Sequence, residues 1–140
     1  MKVLLPVDGS AYGTRAVRYV ARHFQALGRR QAITLVHVDS PMIERLSRHV
    51  GPEDLARFHE KNANAALRSA RRVLSNARIV FRERQLVGDP ATGIAKVAKE
   101  EHIDLIVMGS HGRGALRSLL LGSVVSKTLV RTRVPVLVVR

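Results

Sequence analysis

The residues best suited to chemistry are the glycines and serine of Met108-Gly109-Ser110-His111-Gly112-Arg113-Gly114 and, after Ala115–Leu121, of Gly122-Ser123. Glycines directly after an apolar run permit backbone conformations closed to other residues and let main-chain amides approach an anion. Gly122-Ser123 opens a helical pattern, so the free amides and positive end of that helix, with the Ser123 hydroxyl, suit a phosphate. The spacing matches neither of two familiar phosphate loops. No Gly-Lys-Ser/Thr follows, and Arg117 stands where a dinucleotide fingerprint has its third glycine. A plainer reading makes the stretch a tight strand-to-helix turn with Ser123 as an N-cap. Four glycines and a serine bracketing a strand end and a helix start favour the phosphate cradle.

Asp8 is the second candidate. It closes the first apolar run, and in open α/β sheets ligands sit beyond the carboxyl ends of the strands, where the strand order reverses. If the first and fourth strands are neighbours, Asp8 faces the glycine loop across that crevice and its carboxylate can accept from ribose hydroxyls. A turn-forming Asp8-Gly9-Ser10 is an equally good reading of those three residues alone.

The remaining constellations point away from other chemistries. There is no cysteine, which excludes disulfides, thiolate metal sites and cysteine nucleophiles. The six histidines show no metal-ligand spacing; His37 reads as a packed core residue, and His111 lies in the loop, facing either phosphate or solvent. No Gly-x-Ser-x-Gly elbow occurs and no dedicated base stands beside the loop, so rapid hydrolysis is not supported and the site is assigned no catalytic residue.

The elements that must position these residues alternate. Residues 2–7 read as a buried strand, with Ser10 as N-cap of a helix marked by Gly13, Val17, Val20, Phe24 and Leu27 and closed by Gly28. Residues 33–38 form a second strand, followed by a loop with a short helix at 43–49. Gly51-Pro52-Glu53-Asp54 starts a long helix whose apolar stripe is Leu55, Phe58, Ala66, Ala70, Val73 and Leu74. Residues 79–87 alternate apolar and charged types, as a strand near a sheet edge does. Gly88-Asp89-Pro90 begins the next helix, residues 104–108 read as a central strand, a helix spans 123–131, and Pro135–Val139 ends the chain as a strand. This βαβαβαβαβ order predicts one α/β domain over 1–140, a parallel sheet covered by helices on both faces.

Length and composition agree. The 140 residues are 46% apolar and 25% charged, enough for one core and without a disordered signature. The N-terminal run is too short for a signal-peptide core and no segment has the length of a membrane span, so a cytoplasmic home without membrane contact is the default. The net charge of +13 raises the weight of anionic partners. The basic residues fall in stripes on helix faces, at 15/18/22 and 57/61/68/72, and aromatics make up only 4%. A solvated surface is therefore favoured over non-specific nucleic-acid binding.

The spacing Gly109-x2-Gly112-x9-Gly122-Ser123 resembles the ATP-binding signature of the universal stress protein family. Val3-Leu4-Leu5-Pro6-Val7-Asp8-Gly9-Ser10, Val36-His37-Val38 and Pro135-Val136-Leu137-Val138-Val139 are similar to the same family, so the resemblance spans the chain. It implies a five-stranded parallel sheet in order 3-2-1-4-5, a Rossmann-like three-layer sandwich. It also implies an ATP site, with or without Mg2+, in which Pro6, Val7 and Asp8 line the adenosine, Asp8 meets ribose and the Val38 backbone meets adenine. Gly109, Gly112, Gly122 and Ser123 would hold the phosphates, with Met108, His111, Arg113 and Val124 close by. A homodimer through Val134–Val139 is implied too, and a bare apolar edge strand invites such pairing. The strong positive charge departs from many family members. The function expected is an ATP-dependent binding module of the stress response, with protein partners unspecified. The competing readings are a slow ATPase or nucleotide transferase in the same pocket, and a basic nucleic-acid-binding protein with a structural glycine loop.

Overall fold

Side chains on successive strand residues point to opposite faces, and here that alternation builds two cores on either side of one sheet. The computed structural model describes residues 1–23, 31–41, 50–112 and 121–140. Strands β1 (Lys2–Pro6), β2 (Ala32–Asp39), β3 (Phe81–Val87), β4 (Leu105–Gly109) and β5 (Val136–Val139) are all parallel, in the order β3-β2-β1-β4-β5. The intervening helices are α1 (Ala11–His23), α2 (Pro52–Asn76), α3 (Pro90–Glu100) and α4 (Ser123–Arg131). Val3, Leu5, Ile33, Leu35 and Val107 face one way and pack with Val17 and Val20 of α1 and Leu67 and Leu74 of α2. Leu4, Val36, Ile106 and Met108 face the other way and pack with Ile94 and Val97 of α3 and Val125 of α4. Each of these buried side chains contributes about 1.5–3 kcal/mol. The architecture is the three-layer α/β sandwich in order 3-2-1-4-5.

Helix starts follow the local chemistry. The Ser10 hydroxyl accepts from the Gly13 amide at 3.1 Å, capping α1. Gly51 and Pro52 open α2 with Glu53 and Asp54 in its first turn. Asp89 caps α3, accepting from the Thr92 amide at 2.9 Å and the Thr92 hydroxyl at 2.7 Å.

Helix ends explain where the strand limits differ from the pattern. The Ile79 amide bonds back to the Leu74 carbonyl across Arg78, whose φ is 55°. Ile103 repeats this on Ala98 across His102, at φ 51°. These are left-handed helix closures on non-glycine residues, each followed by a buried isoleucine. Ile79 thus serves the closure that follows α2, and β3 begins at Phe81 rather than at residue 79. At the other edge, the Val134 amide donates to the Thr132 hydroxyl at 3.1 Å, so β5 begins at Val136 rather than Val134 or Pro135. Phe58 is 41% exposed, and the inner face of α2 runs instead through Ala63, Ala66, Leu67, Ala70 and Leu74. Phe24, Leu27, Gly28 and the short helix expected at 43–49 lie outside the described residues.

Candidate functional site

Because β1 and β4 are neighbours, with Val3 paired to Leu105 and Leu4 to Ile106, their carboxyl ends release two turns into one crevice. That crevice has a volume of about 480 Å³, within the range of small-molecule sites. Pro6, Val7, Asp8, Val38, Met108, Gly109, His111, Gly112, Gly122, Ser123 and Val124 all line it. The remaining candidate, Arg113, lies outside the described residues, as do Gly114 and Arg117. Reasoning from sequence missed Gly13, Val36, His37, Asp39, Ser40, Pro90, Ile94 and Val125, which line the same space. Ile94 and Val125 belong to the core between sheet and helices, and the fold brings them to the crevice as well.

Asp8 does face the glycine loop. A Cβ built on Gly112 would stand 2.8 Å from Asp8 Oδ2, and one on Gly13 would stand 3.4 Å from Oδ1. Oδ1 accepts from the Ser10 amide at 2.9 Å, which aims the carboxylate. The β1–α1 turn itself depends on Gly9, whose φ of 81° disfavours any side chain.

The loop glycines are needed for room rather than for unusual backbone angles, since none of Gly109, Gly112 and Gly122 has a positive φ. They differ in what they make room for. A Cβ on Gly109 would lie 2.4 Å from the Tyr12 carbonyl carbon and 2.8 Å from the Gly13 amide, so this glycine lets β4 pack against the start of α1. A Cβ on Gly122 would lie 3.1 Å from His111 Cα and 3.2 Å from the Ser110 carbonyl oxygen. Gly122 also donates its amide to that oxygen at 2.7 Å, tying the two ends of the loop together. Gly112 alone meets only a side chain.

The start of α4 is the most favourable feature for an anion. Its N-cap is Gly122, extended at φ −69° and ψ 155°, and no side chain caps it. Ser123 is therefore the first helical residue, not the cap, and it is exposed. The amides of a helix's first turn have no intrahelical acceptor and carry its positive end. On the opposite wall, Gly93 gives α3 its close approach to β2: a Cβ there would be 2.8 Å from Val38 Cγ2. Val38, held by this packing, lines the crevice. His111 packs against Tyr12, ring centroids 5.2 Å apart, with Nδ1 3.0 Å from Ser110 Oγ.

The floor beside Val38 carries a polar cluster that spacing could not reveal. His37 is buried and its Nδ1 lies 2.8 Å from the Val7 carbonyl oxygen, linking the ends of β1 and β2. Asp39 accepts from His59 Nδ1 at 2.7 Å and from Asn62 at 2.9 Å, anchoring α2 to β2. Burial pushes the Asp39 pKa up, but the hydrogen bonds from His59 and Asn62, with the charges of His59 and His37, outweigh it and hold the carboxyl below its ordinary value. Among the described residues no group of His, Cys, Asp and Glu is arranged to hold a metal ion. Nor is any described helix long and apolar enough to cross a membrane.

Comparison with known proteins agrees with this architecture. The family model described as "Universal stress protein family" matches residues 1–140. Universal stress protein MJ0577 of Methanocaldococcus jannaschii is 30% identical over 99% of this chain and 94% of its own length. A Thermus aquaticus universal stress protein is 36% identical over 99% of this chain and 97% of its own. The solved MJ0577 structure superposes with a TM-score of 0.81 at 28% identity, covering 99% of this chain and 94% of that one. A universal stress protein solved in complex with cAMP superposes at 0.73 with 26% identity, covering 100% and 97%. The chain belongs to the universal stress protein family.

Proposed function

We propose that the crevice binds ATP, with or without Mg2+, and that the chain works as a nucleotide-dependent binding module in stress adaptation, as a cytoplasmic homodimer. The observation that carries this reading is the uncapped start of α4 at Gly122-Ser123, facing Asp8 across a space of nucleotide size. In it the amides of Ser123 and Val124 and the Ser123 hydroxyl donate to phosphate oxygens, while Gly112 leaves the space between loop and Asp8 open. Asp8 accepts from ribose hydroxyls, and the Val38 backbone reads the base edge. Pro6, Val7 and Met108 supply apolar walls. The cAMP-bound relative is consistent with an adenine nucleotide as the ligand class.

The decisive variants are Ser123→Pro and Ser123→Ala. Proline is well tolerated at the first helical position, and the extended Gly122 is the conformation that precedes proline most easily. Ser123→Pro thus deletes an amide donor and the hydroxyl without an evident packing change, whereas Ser123→Ala deletes the hydroxyl alone. Hydrogen bonds to a charged group are worth about 1.5–3 kcal/mol. Calorimetric titration with ATP should show about 10- to 100-fold weaker binding for the proline variant and a smaller loss for alanine. Equal affinities for the wild type and Ser123→Pro would remove α4 from the phosphate site. Absence of any ATP heat or thermal shift in the wild type would refute the nucleotide reading itself.

A further inference from the structure

The positive charge is not spread evenly over the molecule. Helices α1 and α2 share one core and pack side by side on one face of the sheet. Their outer surface carries Arg15, Arg18, Arg22, Lys61, Arg68 and Arg72, all exposed. Helix α1 contains no acid, and neither does α2 beyond Glu60. Among the described residues none of these six cations forms an ion pair; Arg57, the remaining member of the α2 stripe, pairs with Asp54, and the nearby Arg71 is held at 2.7 Å by each oxygen of Glu83. The α3/α4 face is different. There Glu100 and Glu101 hold Arg84 at 3.1 and 2.8 Å, Glu100 lies 3.8 Å from Lys96, and Asp89 feels Arg131 and Lys127. Two basic stripes that look separate in the sequence therefore share one surface whose cations, apart from Arg57, are unpaired among the described residues, whereas acids lie beside several cations of the opposite layer.

We propose that the α1/α2 face binds the phosphate backbone of duplex nucleic acid, independently of base sequence. At about 1.5 Å per helical residue, the stripe runs about 10 Å along α1 and about 16 Å along α2, and packed helices lie about 8–10 Å apart. A duplex carries about one negative charge per 1.7 Å of axis, so a patch of this size spans several phosphates on each strand. A single strand is the poorer fit because it needs stacking platforms. The exposed Tyr19 and Phe58 of these helices already pack against His23 and His59, with ring centroids 4.3 and 5.4 Å apart. An anionic bilayer is also a poorer fit, because Val17, Val20, Leu67 and Leu74 are turned inward and leave no apolar ridge to insert.

The test compares two charge-matched variants by fluorescence anisotropy with a 20-base-pair duplex of mixed sequence at several salt concentrations. One replaces Arg15, Arg18, Arg68 and Arg72 by Gln; the other replaces Lys96, Lys99, Lys127 and Arg131 by Gln. Both lose four charges, none of the eight lines the crevice, and circular dichroism with melting confirms that each is folded. Wild type should bind with an affinity that falls steeply with salt. The α1/α2 variant should bind at least tenfold more weakly with a shallower salt slope, and the control should stay within about threefold of wild type. Equal losses in both variants would mean that net charge alone drives binding and would overturn the proposal. No binding at low salt would do the same, as would tighter binding to phosphatidylserine vesicles than to the duplex. ATP calorimetry on the same variants separates this inference from the nucleotide reading, since neither set touches the crevice.

Discussion

At the scale of residues, the two glycines that close β4 and open its loop do different work. Gly109 meets the backbone of Tyr12 and Gly13, which cannot yield, whereas Gly112 meets only the Asp8 carboxylate. Gly109→Ala should therefore cost about 1–3 kcal/mol by overpacking, lowering the melting temperature by several degrees. Gly112→Ala should change stability little while reducing ATP affinity, and thermal melting beside calorimetry reads both. Titration adds a second prediction. Asp39 and Asp89 both sit below their ordinary pKa of 3.8; Asp89 is lowered by the Thr92 hydroxyl and amide, which with the charges of Arg131 and Lys127 outweigh the opposing effect of desolvation. A carboxyl with a depressed folded pKa stabilises the fold above its unfolded pKa, and that stabilisation is lost as pH falls through the folded value. Wild-type melting temperature should thus drop below about pH 4. Asp89→Asn retains the cap but cannot titrate, so its melting curve should fall less steeply between pH 4 and 2.

At the scale of elements, the two sheet edges contrast. Strand β3 carries Arg82, Glu83 and Arg84 along one edge, and charges discourage pairing with another chain. Strand β5 at the other edge is Val136-Leu137-Val138-Val139, with Leu137 36% exposed and Leu129 and Val130 of α4 at 45% and 86%. This is the edge we propose for the homodimer. Leu137→Lys should convert the dimer to monomer in sedimentation velocity, and an unchanged sedimentation coefficient would reject β5 as the interface. Core packing within the elements is tested by Leu67→Ala, which removes a fully buried side chain of α2 and should cost about 2–5 kcal/mol in chemical denaturation.

At the scale of the whole molecule, a ligand that binds only the folded chain adds stability by mass action, about 2.7 kcal/mol at a concentration one hundredfold above its Kd. For a chain of 140 residues this corresponds to a rise in melting temperature on the order of 10 °C. ATP should produce that rise in wild type and a much smaller one in Asp8→Asn, which keeps the shape of the crevice and loses the charge facing the loop. GTP at the same concentration should have less effect if the Val38 backbone reads the base. The electrostatic asymmetry also belongs to this scale, because it arises from two distant helices sharing one sheet face.

Most of the fold was legible from the chain alone. Apolar alternation, Ser10, Asp89 and the Gly51-Pro52 start set the elements and their order, because hydrophobic periodicity and capping act over a few residues. The glycines and Ser123 marked one wall of the crevice for the same reason. Tertiary structure decided what depends on residues far apart in sequence. It divided the loop glycines between packing and open space, and it made Gly122 rather than Ser123 the cap. It closed helices on Arg78 and His102, where the following buried isoleucine stabilises a left-handed residue that propensity alone would not choose. It also joined His37, Asp39 and His59 and merged two arginine stripes into one surface. A local pattern records the energetics of one turn or strand, whereas which walls meet and which charges go unanswered depends on contacts that exist only after the sheet has formed.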